Sequence, residues 1–278
     1  MTGNELPFGV LLRRWRQHRR MTQMDFAAAA NTSTRHLSYL ETGRAQPSRE
    51  MVMRLADSLD MPLRERNALL LSAGYAPAFP ERSLAELPAA RQAIEQILDA
   101  HKPYPAFAVD RHWDIVLSNQ ALPQLYVGVA PELLRPPVNA VRLTLHPQGM
   151  APRIVNLTEW RRHVIAELRR HIETRPDPGT QALLAEVMAY SPVPARVASE
   201  PEEGAQRYAT PLKIATDAGV VSFLSTTTVF GTPMDVTLSE LALEMLFPAD
   251  ARTATIVNAL TAGASVAPPR DSVLVDAR

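Results

Sequence analysis

The chain contains no cysteine. That excludes disulfides and thiolate chemistry, whether metal-binding or redox, and fits a cytoplasmic protein. It has no apolar run of about 18 residues, so no membrane-spanning helix and no membrane partner are expected. Its first residues lack the charged-then-apolar pattern of an export signal. Net charge is absent too, with 29 Lys and Arg against 29 Asp and Glu. Spacing supplies no Gly-rich phosphate loop, no His-Glu-x-x-His pair and no nucleophile elbow. With no catalytic constellation, the chain reads as a non-enzyme that needs no cofactor or metal. There is no internal repeat.

What is present is enough chain, 278 residues, for two domains with cores of their own. Hydrophobic residues make up 46% and charged residues 21%, as in soluble globular proteins. The charges are unevenly placed. Residues 1–82 hold 12 Arg and 8 Asp or Glu; the remainder holds 17 Lys or Arg and 21 acids. A basic small domain beside an acidic larger one hints at an anionic partner for the first.

Residues 6–76 carry short helical patterns separated by brief breaks. A proline-punctuated segment, 77–105, surrounds one amphipathic stretch, Leu87–His101. From residue 106 the pattern changes. Residues 106–118 read as two strands around a tight turn at 110–112, and residues 210–230 repeat that reading around Asp217-Ala218-Gly219. Helices are expected at 157–174, 181–190, 238–246 and 249–260. The domains expected are therefore 1–76, a connecting segment 77–105, an α+β domain with an antiparallel sheet over 106–262, and a loose tail 263–278.

The first helix, about Phe8–Arg19, puts Phe8, Leu11, Leu12 and Trp15 on one face, with Arg13, Arg14, Arg16, Arg19 and Arg20 around the rest. Taken alone, that arginine run reads as a solvated face, with phosphate contact as the alternative. Thr22 with Asp25 makes a capping box for a second helix. Gln23 then sits at its first position, beside free backbone N–H groups. Ser33 caps a third helix from Thr34 to about Thr42, and Gly43 suits its end. At about 100° per residue, Thr34, Arg35, Ser38 and Tyr39 centre near 70°, while Leu37 and Leu40 centre near 270°. Two leucines pin this helix, and four polar side chains capable of meeting base edges in a major groove face away. Two short helices joined by a turn of three or four residues form a helix-turn-helix unit. Fourth and fifth helices follow from Pro47 and Leu63.

The runs Thr22-Gln-Met-Asp-Phe-Ala, Leu37-Ser-Tyr-Leu-Glu-Thr-Gly-Arg, Pro47-Ser and Leu55-Ala-Asp-Ser-Leu resemble the XRE (phage-repressor-like) DNA-binding domain. The resemblance implies an all-α, five-helix, lambda-repressor-like domain. It implies that Gln23 holds phosphate or orients a base contact, that Thr34, Arg35, Ser38 and Tyr39 face the groove, and that Arg44 approaches the DNA backbone. Glu41 is read as structural. Asn31 departs from the family, where glycine is common, and so does Phe26, where leucine is usual.

In the second domain His163 and His171 share one helix but lie about 12 Å apart, too far for one metal ion. Phe107, Trp113, Phe223 and Phe230 sit in the strands, and a small sheet with helices on one side can enclose an apolar cavity. The stretch FGTPMDVTLSELALEMLFPADART from Phe230, with HWDIVLSNQA from His112 and RIVNLTEW from Arg153, resembles the C-terminal domain of MmyB-like (MltR-like) regulators. The two halves together resemble these regulators as well, with PSRE from Pro47 and RERNALLLSAGYAP from Arg64 leading into that domain in the same order, so the resemblance covers about 1–262. It implies a PAS-like fold and the binding of fatty-acid-like molecules. Phe107, Trp113, Phe223 and Phe230 are then candidate ligand contacts, and Asn119, His146 and Arg153 candidate carboxylate anchors.

The reading is a ligand-responsive transcription factor. Its first domain binds a double-stranded operator, as a homodimer on a near-palindromic site. Its second domain senses a small apolar effector, possibly a fatty acid. The alternative is a regulator whose second domain binds a protein partner instead.

Overall fold

A computed structural model describes residues 6–191 and 209–264. In chain order the helices of the first part are α1 (Phe8–His18), α2 (Gln23–Ala29), α3 (Thr34–Glu41), α4 (Arg49–Ser58) and α5 (Leu63–Ser72). Then come α6 (Pro88–Ala100), β1 (Ala106–Val109), β2 (Ile115–Ser118), α7 (Ala140–Leu145), α8 (Leu157–Thr174) and α9 (Pro178–Ala189). The last elements are β3 (Leu212–Thr216), β4 (Gly219–Val229), α10 (Val236–Ser239), β5 (Ala242–Pro248) and α11 (Ala251–Ala264). They form two units, one of residues 1–83 with 231–239, the other of 84–230 with 240–278.

The first unit is an all-helical bundle whose ends are written in the sequence. Thr22 and Asp25 close the capping box of α2, Ser33 accepts from the His36 N–H at α3, and Ser48 accepts from Met51 at α4. The turn between α2 and α3 needs a left-handed residue, and Asn31 supplies it at φ 49°. Gly43 ends α3 at φ 72°. Leu12, Phe26, Leu37, Leu40, Val52, Leu55 and Leu70 are completely buried. Gly9 lets α1 pass close over the end of α3: a Cβ there would lie 2.5 Å from the carbonyl oxygens of both Leu40 and Glu41. Segment 231–239 completes the unit. Asp235, 2% exposed, accepts from Arg82 Nε at 2.9 Å, and the Val236 N–H donates to the Pro80 carbonyl.

The second unit is built on one antiparallel sheet in the order β2-β1-β5-β4-β3. The turn at 217–218 joins β3 to β4 as the sequence suggests. The expected helix at 238–246 is not there. Only Val236–Ser239 makes a helical turn, and 242–248 is β5, the central strand. Leu, Ala, Glu and Met favour helix in isolation, but β5 pairs with β1 along one edge and β4 along the other, and that pairing overrides propensity. The last helix starts at Ala251 and extends through Ala264, past the expected end at 260; residues 265–278 of the expected loose tail lie outside the described residues. The core gathers Leu143, Ile154, Trp160, Leu168, Val187, Ile214 and Phe223. Arg142 clamps α7 to α9 through paired bonds of 2.8–3.1 Å to Glu186.

Candidate functional site

Two features can carry function, one in each unit. In the first, α3 has Leu37 and Leu40 sealed in the core, while Thr34 and Arg35 are exposed and Ser38 and Tyr39 half-buried. Arg35 folds back along its own helix. Its Nε donates to the Tyr39 hydroxyl at 3.1 Å, and its guanidinium lies 5.5 Å from the centre of the Tyr39 ring. The two side chains therefore form one joined polar patch. Arg44 is exposed just past the helix end.

Behind α3 lies a buried ion pair. Arg16 Nε and a terminal nitrogen donate to the two oxygens of Glu41 at 2.6 and 3.0 Å. The other terminal nitrogen donates to the Met21 carbonyl at 2.8 Å. The hydrogen bond to Glu41 lifts the Arg16 guanidinium above its ordinary value and keeps it charged. Gln23 Nε2 donates to the same carboxylate at 2.9 Å. The first residue of α2 is thus fixed to the last residue of α3, as expected of a structural Glu41. The arginine run of α1 divides: Arg16 and Arg19, which caps the Leu59 and Asp60 carbonyls, serve the fold, whereas Arg13, Arg14 and Arg20 are exposed.

In the second unit a cavity of about 190 Å³ opens between the sheet and helices α7 and α8. From α8, Trp160, His163, Val164 and Glu167 enter its wall at one-turn spacing; α7 contributes Val141, Leu143 and Thr144. Phe107, Glu244 and Thr227 come from neighbouring positions on β1, β5 and β4. Most of the wall is apolar, with Trp113, Ile115, Leu122, Met150 and Leu246. The polar end centres on Glu244, 8% exposed, whose two oxygens accept from the hydroxyls of Ser225 and Thr227, each at 2.7 Å. Burial pushes the Glu244 carboxyl above the usual range, the two hydroxyls oppose that, and Glu167 adds to it.

Of the residues expected at a ligand, Phe107 and Trp113 line this cavity. Phe223 and Arg153 line a different hollow of about 30 Å³, room for roughly one water, and Arg153 donates to the Leu125 carbonyl. Asn119 is 3% exposed, and its amide is saturated: the oxygen accepts from Ala106 and Ala121, the nitrogen donates to Leu98 and Tyr104. It ties α6 and the loop after it to β1. His146 accepts from the Gln148 N–H and meets Tyr190 edge-on at 5.0 Å, outside both hollows. Phe230 is half-buried and also outside them. Glu244, the polar centre of the cavity, escaped the sequence reading. Its one signal there is a lone acid inside the apolar run Leu241–Phe247.

Compared with known families, residues 90–260 match the MmyB-like transcription regulator ligand binding domain, and residues 7–69 match a helix-turn-helix domain. HTH-type transcriptional regulators from two strains of Mycobacterium tuberculosis and one of Mycobacterium bovis are 35% identical over 118 residues. The match takes in 42% of this chain and 43% of each relative, so it spans less than half the length of the curated relatives. The crystal structure of the clp gene regulator ClgR from Corynebacterium glutamicum is 25% identical, with a TM-score of 0.22, over 34% of this chain and 90% of that one. A score at that level adds nothing to the fold.

Proposed function

The chain belongs to the family of transcription regulators with an MmyB-like ligand-binding domain, and from that premise we propose that it reads an operator with α3 and senses a small apolar molecule in the second unit. One observation carries the proposal. Each unit presents a feature suited to one of these two roles, an outward polar helix on a buried leucine pair in the first and a 190 Å³ apolar cavity in the second.

At the DNA, Arg35 makes the base contact, with Thr34, Ser38 and Tyr39 beside it in the major groove. Gln23, tethered to Glu41, orients that face, and Arg44 meets phosphate. The five-helix unit is lambda-repressor-like in this reading, and the single antiparallel sheet with helices over the cavity supports a PAS-like description. Two copies act as a homodimer on paired half-sites. Effector binding alters DNA affinity only through unequal affinity for the DNA-competent and incompetent states. The apolar wall suits a hydrocarbon chain such as that of a fatty acid.

The test uses the full chain. Selection from random duplex DNA is expected to enrich one near-palindromic sequence, and native mass spectrometry to find a bound apolar molecule. No enriched sequence would sink the operator reading. No bound mass, together with no thermal shift from any amphiphile, would sink the effector reading.

A further inference from the structure

The effector reading leaves open which end group the cavity recognises, and the hydrogen-bond inventory of its wall is lopsided. Among the described residues no arginine or lysine lines it. Three of its hydroxyl protons are already spent: Ser225 and Thr227 donate to Glu244, and Thr144 donates to the Ala140 carbonyl at 2.7 Å. An ionised carboxylate offers about four acceptor positions, and these hydroxyls occupy two on Glu244. The remaining lone pairs of Glu244, those of the three hydroxyl oxygens and the carboxylate of Glu167 are all acceptors. Against them stand the Tyr126 phenol, His163, whose ring packs on Trp160 at 5.2 Å, and the buried indole N–H groups of Trp113 and Trp160, which meet no acceptor among the described residues.

We infer that the effector is an apolar molecule with a hydrogen-bond-donating head, an amine or alcohol, which binds at Glu244, Ser225 and Thr227 in preference to a carboxylate. This rests on the effector reading above and narrows it. A carboxylate head would meet the buried acid Glu244 with no arginine or lysine in the wall, a desolvated like-charge contact; the second acid, Glu167, is paired with Arg170 at 2.9 Å. An ammonium has three donors and no acceptor, and a hydroxyl has one donor to give; both match the acceptors at Glu244. Burial raises the affinity of Glu244 for its proton, while the Thr227 and Ser225 hydroxyls and His163 act against it.

The experiment compares octylamine, 1-octanol and octanoate on the full chain, each below its micelle concentration, by tryptophan fluorescence and thermal shift. Trp113 and Trp160 in the wall are the reporters. The amine and the alcohol are expected to bind at least tenfold more tightly than octanoate. In Glu244→Gln the amine is expected to weaken about tenfold, with the alcohol changed far less. Octanoate binding as tightly as the amine in the unaltered protein overturns the inference while leaving the effector reading intact. An amine affinity unmoved by Glu244→Gln overturns the assignment to Glu244. Failure of all three to bind overturns this inference, while the effector reading falls only if native mass spectrometry also finds no bound mass and no other amphiphile shifts the melting temperature.

Discussion

Arg16 and Glu41 face each other through two parallel bonds, with side chains only 10% and 2% exposed, and join α1 to the end of α3. The same carboxylate holds Gln23. One buried acid therefore sets the angle between the two helices that a groove would meet.

Removing one partner of a buried pair leaves the other charged and unpaired, at a cost of about 3–5 kcal/mol. Glu41→Ala is expected to lower unfolding stability by about that amount in urea. A loss under about 1 kcal/mol would show that water reaches Arg16 and that the pair is not the clamp described.

Gly9 gives a sharper steric test. A methyl group there would sit 2.5 Å from two backbone oxygens that cannot swing away. Although alanine is the better helix former, Gly9→Ala is expected to cost about 1–3 kcal/mol. A stabilised variant would mean that α1 and α3 have room to part.

On DNA, Arg35→Ala is expected to weaken specific binding by about 1–3 kcal/mol and to relax base preference. Arg44→Ala should weaken all sequences alike and reduce the salt slope by about 1. Tyr39→Phe removes the hydroxyl that holds Arg35 and should cost less than losing Arg35. Mobility-shift titrations at several salt concentrations separate these outcomes; identical losses on specific and random DNA would dismiss Arg35 as a base contact.

The pH dependence of Glu244 has a definite sign. Its folded carboxyl binds its proton more tightly than an unfolded one, so its contribution to stability is complete below the ordinary carboxylate value. That contribution is lost as pH rises through the raised folded value. Glu244→Gln keeps the shape and removes the charge. It is expected to raise the Tm over the unaltered protein by roughly 2–4 °C at pH 8, with the gain vanishing near pH 4. An equal gain at both values would assign it to packing rather than charge.

Much of the first unit was legible because its signals are local. Thr22 with Asp25, Ser33 and Gly43 each act within a few residues, and the placing of Leu37 and Leu40 opposite Arg35 follows from helix geometry alone. The hairpin turn at 217–218 is equally local. The second unit depends on partners far along the chain. Residues 242–248 have helix-forming composition but become the central strand because β1 and β4 offer two pairing edges. That misreading also hid Glu244, since an acid on a surface helix needs no explanation, while one on a central strand does. Asn119 erred in the opposite direction: its amide suits a ligand, but four backbone groups gathered around it consume every bond it can make.

The return of residues 231–239 to the first unit means that the chain passes between the two units three times, after 83, 230 and 239. A cut after 83 therefore frees neither piece. The N-terminal fragment made by stopping there lacks Asp235, the buried partner of Arg82. Recombination meets the same obstacle. A single crossover at that boundary, joining these five helices to another sensor, would leave a piece of their own structure behind in the discarded gene.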